Sequence, residues 1–219
     1  SRPNPLCLTC TMLNIAALYC YPIKSCGQVT LDAAELTPQG IKHDRQWMLI
    51  DDQGVFLSQR TTPEMGLIAV QLDQHTGDIT ISAPGMDSLS VSPKQVSGET
   101  TVTIWKDSLN AEVAETHIND WFSQYMNMSC RLVRYGQSSQ RLIDPDYNQG
   151  QKTVAFADGF PLLITHQATL DQLNQQLSTQ QHEQVSMQRF RPNVVVSSEL
   201  SAQDEFLWKS VFNNEAVIE

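Results

Sequence analysis

Apolar and polar residues alternate with a period of two through much of the first half of the chain, the spacing of half-buried strands. The pattern predicts strands over 13–19, 29–31, 46–50, 55–58, 67–72, 78–82, 88–92 and 101–105. Asp51-Asp52-Gln53-Gly54 joins the third and fourth of these, and the turn over 73–77 joins the next pair, both with hairpin chemistry. A Lys106-Asp107 turn follows the last strand, and together the strands predict a mainly antiparallel, curled sheet. The period then lengthens. Thr116 is placed to cap a helix with Asn119 and Asp120 in its first turn, and Ile118, Trp121, Phe122, Tyr125 and Met126 fall on one stripe. That stripe reads as core rather than as a cofactor face. Strand alternation resumes over 131–135, ahead of a polar segment from 136 to 152 in which the domain boundary is expected.

Two domains are expected: a β-rich one over 12–135 and a second over 136–219. The second opens with 154–159 and 161–165, continues into a helix over 168–177 that buries Leu170, Leu173 and Leu177, and returns to a strand over 194–196. A further strand is expected to begin within 206–211. Strands and helices do not alternate regularly enough for a doubly wound sheet. The fold class expected is mostly β with some helix, α+β.

Composition narrows the partners. Fourteen basic residues stand against 24 acidic ones, a net charge of −10 and a pI near 4.8. This balance argues against a dedicated binder of nucleic acid or anionic membrane, but leaves room for a few cations gathered around one small anion. The longest apolar runs, 15–18 and 160–164, fall far short of the roughly 20 residues that span a bilayer, so no transmembrane segment is expected. The apolar stretch 13–21 runs into Pro22-Ile23-Lys24 without a small-residue cleavage pattern and reads as a buried first strand, not a signal peptide. Residues 1–11 differ in character from the rest of the chain, and Met12 is the expected natural start. Five cysteines, an odd number, fit a reducing compartment and a cytoplasmic location. Cys7 and Cys10 have the spacing of a zinc half-site with no second half. Of the 22 glutamines, many crowd 172–188 as a polar helix face and loop.

Common catalytic and nucleotide motifs are absent, and His43, His75, His117, His166 and His182 lack metal-ligand spacing. His75 reads as solvent-facing in its turn and His43 as structural. No catalytic residue and no metal ligand is assigned. The scarce basic residues say more. Tyr21-Pro22-Ile23-Lys24-Ser25-Cys26-Gly27 sets an ammonium and a hydroxyl side by side in a loop that Gly27 allows to fold tightly, which is what a phosphate needs. Arg45, beside Asp44, either closes a salt bridge or offers its fork to an anion, and Arg60 has the same two readings. Arg189-Phe190-Arg191-Pro192-Asn193 is a third cluster, in which Pro192 is expected to hold Arg191 extended and Asn193 to start a strand.

These segments, with Gln59-Arg60 and Phe156-Ala157-Asp158-Gly159-Phe160-Pro161-Leu162-Leu163, resemble the MOSC-domain molybdenum-cofactor proteins, within them the bacterial YcbX-like proteins and the mitochondrial amidoxime reducing component. The resemblance runs from Met12 to about Trp208. It implies a MOSC-associated β-rich N-terminal domain, then a MOSC β-barrel that is C-terminally incomplete, with the molybdenum cofactor (molybdopterin) between them. Lys24, Ser25 and Arg45 would hold its phosphate and pterin, Arg191 and Asn193 would line the pterin, and Asp158 and Gly159 would belong to a nearby loop. The implied activity is reduction of N-hydroxylated compounds, with electrons from a flavin reductase through an iron–sulfur or haem partner, and some relatives add a [2Fe–2S] domain. The family's metal-ligating cysteine follows the Arg-Pro-Asn strand, whereas here no cysteine follows Cys130, so a truncated, inactive chain is expected. Cys26 lies by the phosphate residues, the wrong end for the metal, and Cys130 reads as buried packing. The alternatives are a sulfur-transfer MOSC protein, a cofactor carrier, and a non-enzymatic β-rich interaction protein.

Overall fold

The computed structural model describes residues 12–147, 152–199, 201–208, 210–212 and 217–218. In chain order its strands begin with β1 (Asn14–Cys20), β2 (Val29–Leu31), β3 (Leu36–Thr37), β4 (Gly40–Ile41), β5 (Trp47–Ile50), β6 (Ala69–Leu72), β7 (Ile79–Ser82) and β8 (Leu89–Val91). The long strands β9 (Val96–Ile104) and β10 (Asp107–Ala114) precede helix α1 (Thr116–Met126) and β11 (Arg131–Arg134). Strand β12 (Ile164–His166), helix α2 (Gln167–Thr179), β13 (Val194–Ser197), β14 (Val211–Phe212) and β15 (Val217–Ile218) complete the order. The fold is mostly β with some helix, as expected. The Cys7–Cys10 pair lies outside the described residues.

The chain forms two compact units, one of residues Tyr19–Leu162 and one built from the chain on either side of it. In the first, an antiparallel sheet runs β5-β11-β10-β9 and a second runs β6-β7-β8. All four residues of β5 are buried, and its alternation feeds two clusters. Trp47 and Leu49 pack with Ile118, Trp121 and Phe122 of α1, while Met48 and Ile50 pack with Val102, Ile104, Leu109 and Phe156. The predicted stripe of α1 therefore does face a core.

Three local expectations are corrected. Residues 55–58 form no strand: the chain turns at Gly54, makes single bridges from Phe56 to Ile50 and from Val55 to Thr103, and donates the Phe56 N–H to the Thr103 carbonyl. Strand β10 was not foreseen, and because it runs to Ala114 the helix is entered through Glu115, making Thr116 its first residue and not its cap. The Glu115 carbonyl accepts from the N–H groups of Ile118 and Asn119, while the Asn119 side chain bonds the Ala114 carbonyl and the Leu132 N–H. In the region 206–211 a 3₁₀ turn over Asp204–Leu207 comes first, and only Val211 enters a strand.

The second unit pairs β12 parallel to β13, with α2 between them in sequence, and β13 antiparallel to the Asn14–Leu18 part of β1. Leu170 of α2 is buried and Leu173 and Leu177 are half-buried, the face that the leucine spacing predicts.

Candidate functional site

The Tyr21–Gly27 loop is fastened flat against the entry to β5. Lys24 donates its N–H to the Trp47 carbonyl at 2.8 Å, Trp47 to that of Pro22 at 3.0 Å and Arg45 to that of Tyr21 at 2.8 Å. Gly27 closes the loop on the Ile68 carbonyl oxygen, which a Cβ would approach to 2.7 Å. Asp44, fully enclosed, works in two directions: one oxygen accepts the Tyr21 N–H at 2.8 Å, the other pairs with Arg45 at 2.6 Å. The Arg45 guanidinium lies over the Tyr21 ring, 4.3 Å from its centroid. The salt-bridge reading of Arg45 is thus realised, and the same bridge aims its fork.

A second loop, Ala155–Asp158, meets the first through its carbonyls. The Phe156 N–H donates to the Arg45 carbonyl at 3.0 Å. Lys24 Nζ donates to the Phe156 carbonyl at 2.9 Å and pairs with Asp158 Oδ1 at 2.5 Å. Arg141 takes the carbonyls on either side: its guanidinium donates to Ala155 at 3.1 Å, to Ala157, and to Asp158 at 2.8 Å, while its Nε pairs with Asp107 at 2.7 Å. Four successive carbonyls are therefore held by two buried cations.

Aromatic rings complete the cluster. Lys24 Nζ lies 5.6 Å from the centroid of Phe56 and 5.9 Å from that of Trp105, and Arg60 Cζ lies 5.1 Å from the same indole. Phe56 and Trp105 touch at 4.7 Å between centroids, and the indole N–H donates to Asp158 at 3.3 Å. Arg60 is exposed and has no ion pair among the described residues. Four cations (Lys24, Arg45, Arg60 and Arg141) thus gather with three carboxylates (Asp44, Asp107 and Asp158), a net positive spot in a protein of charge −10.

The electrostatics follow from the burial. Burial pushes Lys24 down from 10.5 to about 8, against the pull of Asp158 and with help from Arg45 and Arg141. Burial alone would raise Asp158, but the Lys24 ammonium and the hydrogen bonds from Lys24 and Trp105 outweigh it and hold the carboxyl below its ordinary range. The backbone is unusual at the same places: Ser25, Arg45 and Trp105 all have left-handed φ, at 66°, 46° and 54°. Ile104 pairs with Asp107, so Trp105 is the first residue of a two-residue hairpin loop, where such a φ normally calls for glycine. Holding a tryptophan there costs about 1–2 kcal/mol.

Of the residues singled out from sequence, Lys24, Ser25, Arg45, Asp158 and Gly159 all belong to these loops, and Arg60 joins them through Trp105. The Ser25 hydroxyl makes no hydrogen bond among the described residues, and a Cβ at Gly159 would meet nothing within 4 Å. Arg191 and Asn193 belong to the other unit. There Asn193, buried at the start of β13, accepts from the Leu163 N–H and donates its own N–H to the Leu163 carbonyl. Arg191 is left-handed at φ 56°, ψ 45°, not extended. It ends the 3₁₀ turn Met187–Phe190 by donating its N–H to the Gln188 carbonyl, and that cap overrides the restriction imposed by Pro192.

Arg141, Trp105 and Phe56 escaped the sequence reading. A tryptophan at a tight turn and an arginine inside a polar connection, in a chain with few of either, were the available signals. His43 donates Nε2 to the Gln74 carbonyl, and burial pulls its pKa down, a structural role; His75 is exposed. His166 lies 2.8 Å from Ser198 Oγ through Nε2, but its Nδ1 accepts the Ala168 N–H as the cap of α2. The proton is then on Nε2, so the imidazole is no base toward that serine. Cys130 is buried against Ser123, and burial raises its thiol, in keeping with packing. Among the described residues no three His, Cys, Asp or Glu side chains converge as a metal site, and no helix is long and apolar enough to cross a membrane.

The fold and this cluster define a mostly-β protein with a partly buried cation cluster presented on loops. The chain belongs to the MOSC family: the MOSC N-terminal beta barrel domain matches residues 12–129 and the MOSC domain matches residues 151–219. It is similar to a molybdenum cofactor sulfurase of Oryza sativa subsp. japonica, 28% identical over 93% of this chain and 26% of that protein. It is also similar to mitochondrial amidoxime reducing component 2 of Homo sapiens, 30% identical over 89% of this chain and 59% of that protein, and to the Bos taurus protein of the same name at 28%. The chain thus spans about a quarter of the sulfurases and about three-fifths of the amidoxime proteins.

Proposed function

We propose that this chain binds the molybdenum cofactor, with Lys24, Ser25 and Arg45 holding its phosphate and pterin and Asp158 and Gly159 in the loop beside it. The proposal extends to Arg191 and Asn193 as pterin-lining residues, and to a division into an N-terminal domain over 12–135 and a MOSC domain over 136–219. The observation that carries it is the buried ammonium of Lys24. Two of its N–H bonds go to Phe156 and Asp158, and a third has no acceptor among the described residues. A phosphate oxygen suits that donor, the Ser25 hydroxyl and the guanidinium groups alongside, so the donor set fits the group.

When bound, the cofactor supplies the two-electron chemistry of its metal. The chain's own residues supply charge and orientation. Asp44 fixes the plane of the Arg45 fork, Arg141 fixes the Ala155–Asp158 loop, and the left-handed turns at Ser25 and Arg45 set both side chains in place before a ligand arrives. For the whole protein the reading is an oxidoreductase that reduces N-hydroxylated compounds to the corresponding amines or amidines, releasing the oxygen as water. Its electrons would come from a flavin enzyme through an iron–sulfur or haem protein, or from an added [2Fe–2S] domain. Sulfur transfer is the second reading, favoured by the likeness to the sulfurases.

The test is to purify the chain from cells that make the cofactor, then measure molybdenum by plasma mass spectrometry and pterin by fluorescence after oxidation. Pterin near one per chain, lost in Lys24→Met, is expected; a wild-type chain carrying none overturns the reading. Reduction of benzamidoxime by the whole protein, with an artificial donor, separates the two activities, since a sulfur-transfer protein leaves it unchanged.

A further inference from the structure

Asp158 and Lys24 are unequal partners. The ammonium side chain is 8% exposed and the carboxylate 70% exposed, yet they meet at 2.5 Å. The carboxylate therefore reaches in from solvent and covers the buried charge. Its backbone is not free to drift, because Arg141 holds the carbonyls of Ala155, Ala157 and Asp158 itself, and Trp105 holds the side chain from a second direction. Arg45 and Arg60 add positive charge that this single carboxylate does not neutralise, Arg45 having Asp44 as its own partner.

We propose that Asp158 is the specificity element of this cluster: a tethered internal anion that holds the Lys24 position against monoanions and yields it to a ligand carrying a phosphate dianion or a polyphosphate. The inference rests on the anion-binding reading of the cluster. A tethered carboxylate competes at an effective concentration of roughly millimolar or more, so a free carboxylate or chloride exchanging for it one charge for one gains nothing. A phosphate dianion or pyrophosphate brings a second charge, which Arg45 and Arg60 stabilise and the carboxylate of Asp158 cannot match. Displacing Asp158 also uncovers the ammonium and opens to the ligand its third N–H, which has no acceptor among the described residues. The same movement breaks the Trp105 indole hydrogen bond, so the exchange carries its own optical reporter.

The experiment titrates the full chain with pyrophosphate and with acetate at matched ionic strength, reading tryptophan fluorescence and heat of binding, for wild type, Asp158→Asn, Asp158→Ala and Lys24→Met. Trp105→Phe identifies the fluorescence signal. Wild type is expected to bind pyrophosphate and ignore acetate. Both Asp158 variants are expected to bind pyrophosphate roughly five- to tenfold more tightly and to respond to acetate. Unchanged or weaker pyrophosphate binding in both variants, with acetate still silent, overturns the proposal. A wild type that binds acetate as well as pyrophosphate overturns it too. Pyrophosphate binding that survives Lys24→Met, or is absent from wild type, instead overturns the anion-site reading beneath it.

Discussion

A lysine buried among two aromatic rings and three guanidinium groups is a poor choice for stability, and that can be measured. Replacing Lys24 with Met keeps the length of the side chain and removes the charge. In the folded protein burial lowers the Lys24 pKa from 10.5 to about 8. The folded state therefore binds its proton less well than the unfolded chain, which costs about 3 kcal/mol while both states are protonated, below pH 8. The cost is relieved as pH rises from 8 toward 10.5, because only the unfolded state still holds the proton. Lys24→Met removes this cost and leaves the Phe156 carbonyl without its donor, a loss of about 1–3 kcal/mol, while the largely exposed Asp158 returns to water cheaply. The variant should be more stable than wild type by about 1 kcal/mol at pH 7. By pH 10 wild type should have recovered about 2 kcal/mol relative to it, reversing the order. Urea unfolding of both proteins at several pH values from 7 to 10 isolates this residue, because every other titrating group is common to the two. A difference that stays constant with pH refutes the account, as does a variant much less stable at pH 7.

Other perturbations test the scaffold around that charge. Arg141→Met should destabilise the protein by about 3–5 kcal/mol in urea unfolding, since Asp107 and three carbonyls lose their donor at once, and Arg141→Lys should restore only part of it. Gly40→Ala should cost at least about 2 kcal/mol in thermal unfolding, because φ is +100° and a Cβ would collide with the Pro161 carbonyl oxygen. Trp105→Gly relieves a left-handed strain of about 1–2 kcal/mol but loses an aromatic contact of about 0.5–1.5 kcal/mol with Phe56 and the burial of a half-buried indole besides, so it should be less stable than wild type by about 1–2 kcal/mol in urea unfolding. Its affinity for pyrophosphate, measured by calorimetry, should rise, because displacing Asp158 no longer breaks the indole hydrogen bond.

The strands of the first half were legible because their alternation is tied to one buried face, and the α1 stripe because its period is long and its residues large. What escaped was set by neighbours. Residues 55–58 alternate like a strand, but Phe56 makes only a single bridge to Ile50 at the free edge of β5 while Val55 bridges Thr103, so no strand-length pairing forms. Strand β10 reads Asp-Ser-Leu-Asn-Ala-Glu-Val-Ala, with weak formers at most positions. It exists because β9 and β11 flank it on both sides, and no local signal announces that.

The candidate site shows another pattern: part of its side chains was legible, Arg141, Trp105 and Phe56 were not, and neither was its backbone. Lys24 and Arg45 stand out in an acidic chain by charge, and Ser25 and Asp158 through the family motifs, with no reference to conformation. Their placement depends on turns that local rules disfavour, a serine, an arginine and a tryptophan where φ calls for glycine, and in the other unit an arginine before proline that is left-handed instead of extended. Each such turn costs stability, and so does burying the Lys24 ammonium. Neighbouring groups sustain them: Asp44 holds the Tyr21 N–H and the Arg45 side chain together, and Arg141 anchors the facing loop. If the cost at 24 served packing alone, an apolar residue there would serve better. That position 24 keeps the costlier residue, beside turns that local rules disfavour, is the reason to expect a ligand there that neither the turns nor the core require.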